Sequence, residues 1–227
     1  MKIAQIVAAD AGEYGRKSQR IDFAALSEAG HEVGVYPTAG AQLVHVYGRT
    51  RVRGRHVIDA EVELPEAVEA RWWTVSRQPS TVHTLGTFAR KPLENIIKQT
   101  YARISRTRDD VEWRLFERPP APEEMAEIAV WVDPGDDRDG FVAEALVAGN
   151  VVVASRTTIN VQRLEHGRTG FLVPLNDPNE LTHAILSALF KPEQGQGKTS
   201  AARQTIAKFR PRQRLRALTT LYESLLR

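Results

Sequence analysis

No cysteine occurs among the 227 residues. That absence removes disulfides, thiolate nucleophiles, iron–sulfur clusters and cysteine-based zinc sites together, and it makes a reducing cytoplasm the expected home. Long apolar runs are also missing. The longest, around Val151 to Ala154, has the length of a strand and falls far short of the ~18 residues that span a bilayer. The opening MKIAQIVAAD reaches Asp10 and Glu13 without an apolar core or a small-residue cleavage site, so it does not read as a signal peptide, and the mature chain is expected to begin at Met1. No His-x-x-x-His or carboxylate cluster has metal-ligand spacing, and no metal is expected. No internal repeat is visible. What is present, 42% hydrophobic and 26% charged residues, suffices for a packed core and excludes disorder; the length fits one large or two small domains.

A net charge of +3 says little until its placement is read. From Lys191 to Arg227 nine Lys and Arg face only Glu193 and Glu223. The densest part, Lys208-Phe-Arg-Pro-Arg-Gln-Arg-Leu-Arg216, has no aromatic interleaving beyond Phe209, so it reads as a solvated helix face and not as a nucleic-acid site.

Hydrophobic periodicity organises the chain. An apolar strand at Ile3 to Ala8 leads through Gly12 and Gly15 into a helix from Arg20 to Gly30, followed by strands at Glu32 to Tyr36 and Gln42 to Tyr47. Arg49, Arg51, Arg53 and Arg55 alternate as on one face of a charged edge strand. A junction falls within residues 60–80, near Pro65, Trp72-Trp73 and Pro79. Beyond it the pattern predicts strands at Thr81 to Leu85, Glu112 to Phe116, Ile128 to Val132, Val151 to Ala154 and Gly170 to Pro174. Helices are predicted at Pro92 to Ser105, Val142 to Ala148, Asp177 to Phe190 and about Pro211 to Leu226, with a short helix or turn at Pro122 to Ala126. Strands alternating with helices of this length imply parallel α/β sheets. Such sheets bind ligands beyond the carboxyl ends of their strands. The segment there is Val132-Asp-Pro-Gly-Asp-Asp-Arg-Asp-Gly-Phe141, which enters a helix carrying Glu144. A carboxylate at that place can take a sugar diol, although Asp133, Asp136, Asp137 and Asp139 also fit as capping and solvated loop charges.

Glu144-Ala-Leu-Val-Ala-Gly-Asn-Val-Val-Val-Ala-Ser155 resembles the Glu-Ala-x-Ala-x-Gly-x-Pro-Val-Val-Ala-Ser segment of retaining glycosyltransferases of family 4. Glu165-His-Gly-Arg-Thr-Gly-Phe-Leu-Val-Pro174 and Asn176-Asp-Pro-Asn-Glu-Leu181 continue the resemblance; Gly30-His-Glu-Val33 and Val44-His-Val46 match near the start. The resemblance implies two Rossmann-like parallel-sheet domains (GT-B), the first much reduced because two full domains need about 300 residues. The expected division is 1–75 for the acceptor side and 76–227 for the donor side, with a terminal helix crossing back. It further implies transfer of a sugar, with retention, from a nucleotide-diphosphate sugar to an unknown acceptor, in a bacterial-type, metal-independent enzyme with no cofactor besides the donor. By resemblance Glu144 would hold the ribose, and Asp136 or Asp139 the sugar hydroxyls. Arg90 or Lys91, with the Gly140-Phe141 backbone, would hold the diphosphate.

His83 would face the acceptor if its strand belonged to the first domain, whereas His31 and His45 read as packed histidines. Departures from the family pattern, such as Thr87 in the place of an Arg, leave open a non-catalytic nucleotide-sugar or carbohydrate-binding module, or a scaffold subunit. Two partners follow as expectations. The basic tail could touch an anionic membrane, placing the protein peripherally on the inner face. A homodimer would cover the Trp72-Trp73 pair of so small a first domain.

Overall fold

The computed structural model of the chain describes residues 1–8, 11–35, 41, 43–47, 56–58, 66–75, 83–89, 91–135, 140–190, 201–202 and 204–227. It divides into two compact units, Met1–Ala70 with Lys208–Arg227, and Arg71–Ala207. The division falls a few residues before the expected one, and the terminal helix groups with the first unit, as a helix that crosses back to it would.

In the first unit β1 (Lys2–Val7), α1 (Gly12–Glu28), β2 (Glu32–Val35), β3 (Leu43–Tyr47) and β4 (His56–Ile58) form a four-stranded parallel sheet in the order β2-β1-β3-β4. Helix α1 starts well before the expected Arg20. Its Ile21, Ala25 and Leu26 are buried, as the helical spacing requires. The arginine run 49–55 lies outside the described residues.

The second unit runs β5 (His83–Phe88), α2 (Glu94–Thr107), β6 (Val111–Phe116), α3 (Pro122–Ala126), β7 (Val130–Asp133), α4 (Val142–Ala148), β8 (Val151–Ser155), α5 (Thr158–Arg163), β9 (Phe171–Val173) and α6 (Pro178–Phe190). Its five strands are all parallel in the order β6-β5-β7-β8-β9. Alternate residues separate the two faces. Leu85, Val130, Val132, Val151 and Val153 pack with Ile97 and Ile104 of α2 and Leu181 and Ile185 of α6. Helix α4 packs against β7 and β8. It is buried at every position and ends at Gly149, whose φ of 88° suits a residue without Cβ. The Asp177 carboxylate caps α6 by accepting from the N–H groups of Asn179 and Glu180, both at 3.0 Å. Trp72 is 2% exposed within the single chain, so it needs no second copy to cover it, and the argument for a dimer loses that support.

Helix α7 (Pro211–Leu226) completes the first unit. Leu218 and Tyr222 enter a core with Ile3, Leu26 and Leu43, as an apolar stripe predicts. Arg214, counted above within a solvated basic face, is instead 1% exposed. Its Nε and Nη2 donate to Oδ1 and Oδ2 of Asp22 at 2.7 and 2.9 Å, and Asp22 is equally buried. The Tyr47 hydroxyl donates to Asp22 Oδ2 at 2.8 Å and accepts from Gln5 Nε2 at 3.0 Å. Burial, followed by the Asp22 charge, pushes the Tyr47 phenol well above its ordinary range. His45 stacks on Tyr47 with ring centroids 4.3 Å apart, and its Nδ1 meets the Tyr222 hydroxyl in a short hydrogen bond.

Candidate functional site

The carboxyl edge of the second sheet gathers a cluster of buried polar and charged side chains. Asp133 closes β7 and Ser155 closes β8; Asn160 and Arg163 come from α5, and Glu144 from the first turn of α4. Each is 3% exposed or less. Buried polar groups persist only where they are hydrogen-bonded, and here the bonds tie the edge together. Asn160 Nδ2 donates to the Ser155 carbonyl at 3.0 Å and to Asp133 Oδ2 at 3.4 Å. Ser155 Oγ donates to the Pro134 carbonyl at 3.0 Å, and Arg163 Nη1 to Asn160 Oδ1 at 3.4 Å. Helix α5 is oriented by Thr157, whose hydroxyl accepts from the Asn160 N–H at 3.1 Å.

The connection from β7 to α4 is held at both of its described ends. Gly135 N–H donates to Asp133 Oδ1 at 3.3 Å. The Gly140 carbonyl accepts from the Trp131 indole N–H at 2.7 Å. Phe141 then enters α4 with φ 55° and ψ 25°, a left-handed conformation that a bulky L-residue rarely adopts. Its ring is buried edge-on against Phe88, with centroids 5.1 Å apart, which joins the end of β5 to the start of α4.

Of the residues proposed from sequence, Gly140, Phe141 and Glu144 therefore stand together at this edge. Lys91 is exposed, in a short 3-10 turn (Lys91–Leu93) that leads into α2. Arg90, Asp136 and Asp139 lie outside the described residues. Thr87 sits inside β5, fully buried, and its hydroxyl has no hydrogen-bond partner among the described residues. His83 requires correction. It opens β5 in the second sheet, paired with Val111, so it stands at the amino end of the strand, about 17 Å of strand away from Phe88. There its Nε2 lies 3.9 Å from Asp110 Oδ2, and its ring meets that of Phe190 edge-on at 4.7 Å. Arg108 chelates the same Asp110 and holds its carboxyl below the ordinary range through that hydrogen bond. His83 thus belongs to a surface cluster on the edge opposite the candidate site.

An open depression of about 770 Å³ adjoins the carboxyl end of β6, lined by Arg114, Leu115, Phe116, Glu117, Arg118 and Glu124. Its arginines are matched by carboxylates: Arg118 with Glu124, and Arg114 with Glu112 and Glu127. Among the described residues no group of three or more His, Asp or Glu is arranged to hold a metal ion. No helix among them is long and apolar enough to cross a membrane.

Sequence reasoning missed Asn160 and Arg163 because it did not anticipate α5. The available signal was Thr157 followed three residues later by Asn160 directly after an apolar strand, a helix-start pattern.

Known structures share this architecture. A glycosyltransferase from Rickettsia africae ESF-5 aligns over 99% of this chain and 98% of its own length, with a TM-score of 0.69 at 10% identity. TarM aligns over 82% of this chain with a TM-score of 0.53 at 14% identity. The pneumococcal O-GlcNAc transferase GtfA, solved in complex with UDP and GlcNAc, also aligns over 82%, with a TM-score of 0.50 at 12% identity. The chain spans 43% of the TarM chain and 46% of the GtfA chain. Among curated proteins none matches in sequence. The sequence model of the glycosyl transferases group 1 family matches residues 64–190, more than half of the chain and nearly all of the second unit's sheet. With two parallel α/β sheets of GT-B type and that match, the chain belongs to the glycosyl transferases group 1 family.

Proposed function

We propose that the chain binds a nucleoside-diphosphate sugar at the carboxyl edge of its second sheet and transfers the sugar to an acceptor hydroxyl with retention of configuration. The observation that carries this reading is the gathering of buried Asp133, Glu144, Ser155, Asn160 and Arg163 at the carboxyl edge of the second parallel sheet, in a chain of this family. In the transfer the bond from the anomeric carbon to the diphosphate oxygen breaks and the bond to the acceptor oxygen forms; the acceptor proton leaves with the nucleoside diphosphate. Such a reaction is driven mainly by stabilising charge on the departing diphosphate. In this reading Lys91 or Arg90 and the Gly140-Phe141 backbone attend the diphosphate. Glu144 attends the ribose, and Asp136 or Asp139 the sugar. The binding of UDP by GtfA supports trying uridine nucleotides first.

Glu144 has a second reading, favoured by its 1% exposure: a carboxylate that holds α4 in place. Thermal shift separates the two. A nucleotide that binds only the folded state adds about 2.7 kcal/mol at a hundred times its Kd. UDP, GDP, ADP or dTDP, or one of their sugars, is expected to raise Tm, and Glu144→Gln to lose most of that rise while keeping the unliganded Tm. Unchanged Tm with all of them would reject donor binding. A collapsed Tm in Glu144→Gln would assign that residue to the core.

A further inference from the structure

The donor reading gives Asp133 no contact with the nucleotide sugar, although its carboxylate ties two segments of the edge together. Its two oxygens accept from different segments, Oδ1 from the Gly135 N–H and Oδ2 from Asn160 Nδ2. Its carboxyl group also lies against Gly140 so closely that a Cβ on Gly140 would overlap it. Gly140 is thus glycine because of Asp133. The same residue is held from its other side by the Trp131 indole. Downstream, Phe141 carries a left-handed conformation that a bulky L-residue keeps only where its surroundings fix it. Those surroundings are Gly140, clamped between Asp133 and Trp131, and Phe88 against the Phe141 ring. Glu144 follows three residues later, in the first turn of the helix that this conformation aims.

Resting on the donor reading above, we infer that Asp133 is a positioning residue for nucleotide-sugar binding. Clamped with Trp131, it fixes Gly140, holds Phe141 left-handed and so sets the direction from which α4 presents Glu144. A carboxylate is required there for a chemical reason. The Gly135 N–H and Asn160 Nδ2 both donate to its oxygens, so an amide at 133 would turn an N–H toward a donor and lose a bond while keeping the volume.

The experiment measures Kd by calorimetry for UDP, GDP, ADP and dTDP, with Tm recorded in parallel, on the wild type, Asp133→Asn, Gly140→Ala, Asp133→Ala and the Asp133→Ala/Gly140→Ala double variant. Asp133→Asn and Gly140→Ala are each expected to weaken the tightest-bound nucleotide about tenfold or more at temperatures well below their Tm. The double variant is expected to bind no more weakly than Asp133→Ala alone, because removing the carboxylate makes room for the methyl group; that coupling is what a merely structural loss would not produce. Nucleotide affinity unchanged in Asp133→Asn and Gly140→Ala overturns the positioning role and leaves the donor reading standing. Fully additive losses overturn it as well. Should Asp133→Ala fail to fold, Trp131→Phe, which keeps the ring and drops the indole N–H, decides in its place: tenfold weaker binding supports the clamp, unchanged binding overturns it. A folded wild type that binds none of the four nucleotides overturns the donor reading and this inference with it.

Discussion

Replacing Arg214 by Ala is the sharpest test of what holds the first unit together. Its guanidinium and the Asp22 carboxylate are each 1% exposed and joined by two hydrogen bonds, while the Tyr47 hydroxyl leans on the same carboxylate. Removing one partner of such a pair leaves a buried charge with a single hydroxyl donor among the bonds described, and costs about 3–5 kcal/mol. The unit comprises about ninety residues, a size at which each kcal/mol moves Tm by about 4–8 °C, so a fall of about 12 °C or more is expected in its far-UV circular dichroism transition. Hydrogen exchange should locate the damage, with α7 losing protection first, since Leu218 and Tyr222 hold the remaining contact. A control separates charge from packing. Arg214→Met with Asp22→Leu removes both charges and should recover part of the loss, less than all because Tyr47 then lacks its acceptor and Leu is bulkier than Asp in a buried site. A penalty for Arg214→Ala below about 1 kcal/mol, with unchanged exchange in α7, would refute the claim that this pair fastens the helix.

Two further substitutions test neighbouring arguments. Tyr47→Phe removes the hydroxyl between Gln5 and Asp22 and should cost about 1–2 kcal/mol in urea unfolding at neutral pH. Because burial and Asp22 raise the folded phenol above its unfolded value, the stability it contributes is fully present below about pH 10 and is lost as pH rises beyond that. Stability curves of the wild type should therefore fall more steeply above pH 10 than those of Tyr47→Phe, and parallel curves would contradict the assignment. Asn150→Ala strips the donor that Asn150 Nδ2 supplies to the Met125 and Ile128 carbonyls, at 3.0 and 2.5 Å. It should destabilise the second unit by about 1–3 kcal/mol, read from the tryptophan transition, since all four tryptophans lie in that unit; a neutral result would mean that water replaces it freely.

Legibility followed length and periodicity. Helices α3, α4 and α7 begin and end where their spacing predicts, and α6 starts one residue after its predicted Asp177 cap. Neither the six-residue α5 nor the three-residue β4 is anticipated; the similarly short α3 and β9 are, because Pro122 opens the one and Gly170 and Pro174 bracket the other. Which sheet a strand joins is a long-range property, so the strand carrying His83 could be read on either side of the junction, and only its pairing with β6 decides. Arg214 is more instructive. Residues 214, 218 and 222 repeat every four positions, which places the arginine on the stripe of Leu218 and Tyr222 and not on the solvated face. In α1 the positions 18, 22 and 26 do the same for Asp22 above Leu26. Two opposite charges, each on an apolar stripe, were legible as a pair, but the density of arginines nearby made the cluster look uniform. At the carboxyl edge of the second sheet Glu144 was legible from its motif; the tight setting of Asp133 was not, because its partners Asn160 and Gly140 come from different segments.

The polar layer of the first unit also decides what its histidine can do. His45 and Tyr47 are two residues apart on β3, so they share one face, while Val44 and Val46 pack on the other with Ala4. The shared face carries Asp22 of α1 and Tyr222 of α7 as direct neighbours of the two rings. His45 and Tyr47 are both fully buried. A side chain with no exposed surface, stacked on one tyrosine and bonded to another, fastens α7 and does not meet an acceptor. The motif match at His45 is therefore a match of fold, and the chemistry of this chain is to be sought at the edge of β7 and β8.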